Sequence, residues 1–125
     1  MKLRIKDNSI RLRLTRGEVD RISTEGMVEA AVAFADGGKV RYALERSGSG
    51  GTEASWSERG LVVRVPEAML RDWAGSEQVS ISASQPLPEG SLRILVEKDF
   101  ACLTPREGED ESDMFPHPLE KRESS

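Results

Sequence analysis

The chain has 125 residues, of which 37% are hydrophobic and 32% are charged, and its formal net charge is −4. This length suits one domain that buries a core of its own. No apolar run approaches the roughly 18 residues that spanning a bilayer requires, and no apolar leader follows Met1. Cys102 is the only cysteine, which excludes an intrachain disulfide and fits a reducing compartment. We therefore expect a cytoplasmic protein.

The charge is distributed unevenly along the chain. Residues 1–16 contain six basic residues and one acid, whereas residues 105–125 contain seven acids and three bases. We predict a single domain over residues 1–104. Residues 105–125 form an acidic, proline-containing tail that is expected to be partly disordered or docked on the domain.

Residues 2–14 alternate apolar and basic side chains on either side of Asp7-Asn8. Period-two alternation around two residues that tolerate a positive φ predicts a β-hairpin with a two-residue turn. In that register Lys2 faces Arg13 and Arg4 faces Arg11. Thr15-Arg-Gly-Glu18 has the spacing of a capping box, so a short helix should follow and end near Gly26.

The rest of the chain continues in short elements. A second hairpin turns at Asp36-Gly37-Gly38, and two more strands follow the loop at residues 47–52. A two-turn helix should bury Met69, Leu70 and Trp73, and two strands close the domain. The predicted order is ββαββββαββ. We expect an α+β fold with an antiparallel, curled sheet or small open barrel of about seven to eight strands and two short helices. No internal repeat is evident beyond the similar look of successive hairpins.

The first hairpin poses a problem of charge, because like charges directly opposite each other destabilise a strand pair. Four explanations are open: a solvated face laced by Glu29, Glu45 or Glu97, the acidic tail of the chain lying against this face, a bound anion, or nucleic acid. The acidic total and the lack of aromatic side chains on that face argue against nucleic acid. Arg41, Arg64 and Arg93 share the polar parity of other strands and could join the same face if the sheet curls. The predicted anion site comprises Lys2, Arg4, Lys6, Arg11, Arg13, Arg41, Arg64 and Arg93.

Alternating basic strands resemble the triphosphate-tunnel (CYTH) barrels, in which basic residues point inward at a polyphosphate. The first strand of that family carries a Glu-x-Glu-x-Lys motif that holds metal, whereas this chain has Lys2-x-Arg4-x-Lys6. The resemblance implies a shared sheet style, and the missing acids argue against hydrolase activity.

The two ends of the chain, MKLRIKDNSIRLRLT and EKDFACLTPR followed by GEDESDMFPHP, resemble a family of small uncharacterised bacterial proteins, a domain of unknown function. The resemblance spans nearly the whole chain. It implies that the tail belongs to the domain, and it implies no activity.

No catalytic constellation is apparent. His117, the only histidine, lies between two prolines, and its spacing from Asp110 and Asp113 fits no metal site. We expect no metal and no cofactor. Met114 and Phe115 lie among acids and next to Pro116, as an apolar anchor would. The residues predicted to bind a protein partner, or the domain itself, are Asp110, Asp113, Met114 and Phe115. The sequence therefore favours a non-enzymatic interaction or accessory module, with a binder of a small phosphorylated or polyanionic ligand as the alternative.

Overall fold

The computed structural model describes residues 1–48 and 50–99, which form eight strands and two helices in the predicted order. The strands of the first half are β1 (Lys2–Lys6), β2 (Ser9–Leu14), β3 (Met27–Ala33) and β4 (Lys39–Ser47). Those of the second half are β5 (Glu53–Ser57), β6 (Gly60–Pro66), β7 (Ser80–Pro86) and β8 (Ser91–Lys98). The helices are α1 (Arg16–Glu25) and α2 (Glu67–Ala74). The predicted boundary between residues 104 and 105 lies outside the described residues.

The first hairpin has the predicted register. Lys2 pairs with Arg13, and Arg4 pairs with Arg11. Asp7 in the turn has a φ of 50°, which suits a tight connection between antiparallel strands. The like-charge pairs expected from the sequence are therefore present.

Helix α1 begins and ends where the sequence predicts. Thr15 accepts a hydrogen bond from the Glu18 backbone, the Glu18 side chain accepts one from the Thr15 backbone, and Gly26 ends the helix with a φ of 82°. Val19 and Ile22 form its buried side. In α2, Leu70 and Trp73 are buried as expected, but the expected burial of Met69 is wrong, since this side chain is 41% exposed.

The strands form two four-stranded sheets, neither of which closes into a barrel. The first sheet has the order β1-β2-β8-β7, and the second has the order β3-β4-β6-β5. Each hairpin is antiparallel, as expected, but the central pairs β2–β8 and β4–β6 are parallel. Both sheets are therefore mixed. A parallel neighbour comes from a distant part of the chain, and alternation within a strand does not reveal it.

One apolar core lies between the sheets and the helices. Leu12, Ile94 and Val96 of the first sheet and Leu44 and Val63 of the second belong to it, together with residues of both helices. Since these strands alternate, their polar side chains lie on the outward faces of the two sheets.

The fold repeats a unit of hairpin, helix and hairpin, which the sequence interpretation missed. Each sheet takes one hairpin from each half of the chain, so that β2 lies beside β8 and β4 lies beside β6. Side-chain contacts repeat as well: Arg13 binds Glu97 across β2–β8, and Arg64 binds Glu45 across β4–β6. The two halves are therefore related by an approximate twofold repetition, in which β1, β2, β7 and β8 of one sheet correspond to β5, β6, β3 and β4 of the other.

Candidate functional site: a basic sheet face

The outward face of the first sheet carries six of the predicted site residues. We call this surface the basic face, and it is defined by Lys2, Arg4, Lys6, Arg11, Arg13 and Arg93. The first five come from β1 and β2. Arg93 joins them because β8 runs beside β2, with Arg93 in register with Ser9.

Arg41 and Arg64 do not join this face. Both lie on the second sheet, where Arg41 pairs in register with Ala31 and is exposed. The Arg64 guanidinium donates from Nε to Glu45 Oε1 at 3.1 Å and from Nη1 to Ser55 Oγ at 3.1 Å. The structure thus brings six of the eight residues together and places the other two on the second sheet.

Glu97 offsets part of the charge on the basic face. Its Oε1 accepts hydrogen bonds from Arg13 Nε at 3.1 Å and Nη2 at 2.8 Å, and it lies 3.7 Å from Arg11 Nε. At the same end of the sheet, Lys2 Nζ lies 3.4 Å from Asp99 Oδ2. Glu97 was one of the three glutamates expected in this role. Glu45 performs the equivalent role on the second sheet, and Glu29 is exposed there.

A shallow depression of about 220 Å³ lies on the basic face, across β2, β8 and β7. Its polar lining consists of Ser9, Arg11, Ser82 and Arg93. Within residues 1–48 and 50–99, no acid lies within ion-pair distance of Arg93. By register, Ser9 is beside Arg93 on one side and Ser84 is beside it on the other. Arg11 and Arg93 are diagonal neighbours, whose Cα atoms are typically about 8 Å apart, close enough for both guanidinium groups to reach one anion.

The second sheet provides an internal comparison for this depression. Arg41 is the counterpart of Arg93, but Val62 occupies the place of Arg11, and Ala31 that of Ser84. Val62 is 1% exposed. The second sheet thus forms with apolar residues at the positions of Arg11 and Ser84. The fold therefore does not itself require arginine and serine there.

Two other cavities lie near the helices and have mixed charge. One, of about 230 Å³, is lined by Arg46, Glu67 and Arg71 among apolar residues. The other, of about 720 Å³, is lined by Arg16, Asp20, Lys98 and Asp99 beside Leu14 and Val19. The lining of the latter includes Asp99, the last described residue. Neither concentrates charge of one sign as the depression on the basic face does.

The other predicted site residues, Asp110, Asp113, Met114 and Phe115, lie outside the described residues, as do Cys102 and His117. In the part of the chain that the structure describes, no group of three or more His, Cys, Asp and Glu side chains is placed to hold a metal ion. Neither of the two described helices has the length and apolar character needed to cross a membrane.

Sequence reasoning missed Ser82 in the lining of the depression. Ser82 lies on β7, which reaches the basic face only because β8 pairs with both β2 and β7. The similarity between the two hairpin–helix–hairpin halves was the signal that could have indicated this arrangement.

Comparison with known proteins supports the resemblance seen in the sequence. Residues 1–119 match the model of a family whose function is unknown. No curated protein and no solved structure matches the chain.

Proposed function

We propose a binding function for this chain, which belongs to DUF7009, a family of unknown function. The chain is a non-enzymatic binding module, and its ligand is a small phosphorylated or polyanionic molecule held on the basic face. The observation that carries this proposal is the depression in which Arg11 and Arg93 converge from neighbouring strands. Arginine pairs suit phosphate oxygens, because each guanidinium presents several N–H donors in a fixed plane.

The comparison between the two sheets supports a functional origin for the positive charge of the basic face. Lys2, Arg4 and Lys6 on edge strand β1 correspond to Glu53, Ser55 and Ser57 on edge strand β5. Since the same architecture forms in the second sheet without this concentration of positive charge, stability alone does not account for the first. The formal positive charge of this sheet face supports binding of an anionic ligand.

The depression is suited to binding and lacks the groups that catalysis would need. Among the described residues, its polar lining offers guanidinium and hydroxyl groups and no histidine, cysteine or carboxylate. Such a set stabilises negative charge but supplies neither a general base nor an activated nucleophile. This supports a binding role over a hydrolytic one.

Tripolyphosphate is a suitable probe for the proposed site. We expect it to raise the melting temperature of the full chain at about 0.01 M ionic strength, where surface charges are screened least. Titration calorimetry should show that Arg93→Gln and Arg11→Gln each weaken binding by about fivefold to tenfold.

Arg41→Gln is the matched control, because it removes the same charge from the equivalent position of the second sheet. It should change the affinity less than twofold. An equal loss of affinity in Arg41→Gln and Arg93→Gln would show that net charge alone causes the effect. If tripolyphosphate does not raise the melting temperature of the unmodified chain, the proposal is refuted.

A cytoplasmic location in a bacterial cell is part of the same proposal. The single cysteine of the chain supports it, since thiols persist in a reducing compartment. Fractionation of a bacterial host that makes the full chain measures the location directly.

A further inference from the structure

We propose that the acidic run at residues 107–113 docks on the basic face of its own chain and competes there with the external anion. This inference deepens the proposed function, on which its competitive part rests, by adding a regulator of the same site. The run contributes five carboxylates: Glu107, Glu109, Asp110, Glu111 and Asp113.

The basic face concentrates formal positive charge on one side of the first sheet. Six basic side chains are placed there by β1, β2 and β8, and among the described residues of those strands the one acid on that face is Glu97. The outward positions of β7 add the hydroxyls of Ser80, Ser82 and Ser84. Among the described residues, this face therefore carries more bases than acids, and its formal charge is positive.

The described residues end at Asp99, next to the basic face. Asp99 directly follows β8, a central strand of the first sheet: its backbone N–H donates to Leu14 O at 2.8 Å, and its carboxylate faces Lys2. From Asp99 to Glu107 the chain can extend by roughly 25 Å, whereas the strand from Lys2 to Lys6 spans roughly 13 Å. The acidic run can therefore reach every part of the basic face.

The acidic run lies within the family match, unlike two other acids of the tail. The family match covers residues 1–119, so the run and the basic face belong to one recognised unit, and Glu120 and Glu123 lie beyond it. These two glutamates provide a natural control with the same type of charge.

The outward faces of the two sheets differ in the charge that they present to the acidic run. The outward face of the second sheet carries Glu29, Glu45 and Glu53 beside its arginines. Carboxylates of the run would be repelled by these acids, whereas the first sheet offers an excess of positive charge. Charge complementarity thus selects the basic face.

A spin label measures docking without reference to any ligand. In the full chain with Cys102→Ser, a nitroxide is attached through Ser112→Cys, or through Ser124→Cys as the control. At low ionic strength the label at position 112 should broaden the amide signals of Arg4, Arg11 and Arg93 and leave that of Arg41 sharp. The effect should disappear at 1 M salt, where the Debye length falls to about 3 Å. Equal broadening of both sheets, or none, would overturn the docking proposal.

Competition is measured in the natural cysteine background. Asp110→Asn with Glu111→Gln should strengthen tripolyphosphate binding by about fivefold, because it weakens the internal competitor. Glu120→Gln with Glu123→Gln changes the net charge equally and should alter binding less than twofold. Equal effects of the two double variants would contradict competition. If no variant binds tripolyphosphate, the proposed function fails, and the spin label still decides whether the run docks.

Discussion

At the scale of single residues, Glu18 connects the start of the chain to the first helix. Its carboxylate caps α1 by accepting a hydrogen bond from the Thr15 backbone at 2.9 Å, and it also forms an ion pair with the Met1 ammonium group. Burial raises the pKa of Glu18, but the hydrogen bonds from Met1 and Thr15 and the charge of the ammonium group outweigh it. The pKa therefore lies below its ordinary value of 4.5.

This lowered pKa gives a defined pH dependence of stability. The unfolded chain binds a proton at Glu18 more readily than the folded chain does, so the stabilisation is complete above the ordinary pKa. It is lost as the pH falls from about 4.5 through the lower folded-state value. Glu18→Gln should cost about 1 kcal/mol at pH 7 and flatten this part of the curve of unfolding free energy against pH. Glu77→Gln, at an exposed position, serves as the control; a curve as steep in Glu18→Gln as in the unmodified chain would contradict the assignment.

The two tryptophans provide a second comparison between single residues. Trp73 is fully buried and donates from Nε1 to Val79 O at 2.9 Å, whereas Trp56 is 71% exposed. Trp73→Phe should cost about 2 kcal/mol of unfolding free energy, mostly through lost packing, because the Val79 carbonyl keeps the hydrogen bond from the Lys98 backbone.

Trp56→Phe should change the stability by less than about 0.5 kcal/mol. Acrylamide quenching assigns the two signals, since the readily quenched fluorescence should disappear in Trp56→Phe and persist in Trp73→Phe. A large destabilisation by Trp56→Phe would show that this exposed side chain has a partner.

The residue pairs of the first hairpin could be predicted from the sequence, but the carboxylate that compensates them could not be assigned. Alternation and a two-residue turn determine that Arg4 opposes Arg11. Which glutamate lies between Arg11 and Arg13 depends on the strand beside β2, and that strand begins about eighty residues further along the chain.

At the scale of elements, the pairing of β2 with β8 makes Glu97 the link between the last strand and the basic hairpin. Removing its charge leaves Lys2 opposite Arg13 and Arg4 opposite Arg11 without this compensation. Glu97→Gln should therefore lower the free energy of unfolding by about 1 kcal/mol at low ionic strength. Because salt screens the repulsion, the cost should shrink at 0.5 M NaCl, and chemical denaturation with urea measures both values.

Glu45→Gln is the matched variant on the second sheet, where Glu45 binds Arg59 and Arg64. It should cost less than Glu97→Gln, since β5 opposes β6 without pairs of like charge. Equal costs with equal salt dependence would show that the like-charge pairs of the first hairpin do not affect stability.

Both helices and all eight strands were predictable because each carries a local signal. Thr15, Glu18 and Gly26 define α1 through capping, and the strands alternate with period two. Strand order was not predictable in the same way. The sequence favoured an antiparallel, curled sheet or small open barrel, whereas the two parallel central pairs join strands that are far apart in the chain.

At the scale of the whole molecule, the two halves are interleaved. Neither sheet belongs to one half of the chain, because each combines a hairpin from residues 1–48 with one from residues 50–99. The repetition escaped sequence interpretation because it preserves burial more than identity: Leu12, Leu14 and Ile22 correspond to Val63, Val65 and Trp73, and all six are buried. Similar hairpins can be assembled in several orders, and only the packed core selects one.

This interleaving predicts how the chain behaves when it is divided. A break between Gly50 and Gly51, both exposed, separates the halves without cutting a strand or a helix. Fragments 1–50 and 51–125 should each fail to fold alone, because each lacks the parallel partner of its central strands. Mixed together, they should assemble one to one and restore the near-ultraviolet circular dichroism of buried Trp73.

Sedimentation of each fragment alone and of the mixture tests this prediction, with circular dichroism as the second measurement. A stable monomer of either fragment would show that one half holds a complete fold, which the strand pairing argues against. Self-association of fragment 1–50 into a folded dimer would instead show that the unit can pair with a copy of itself. If the fragments fold only when they are mixed, the core is shared between the two halves of the chain. In that case β8 must pair with β2 before the basic face can form.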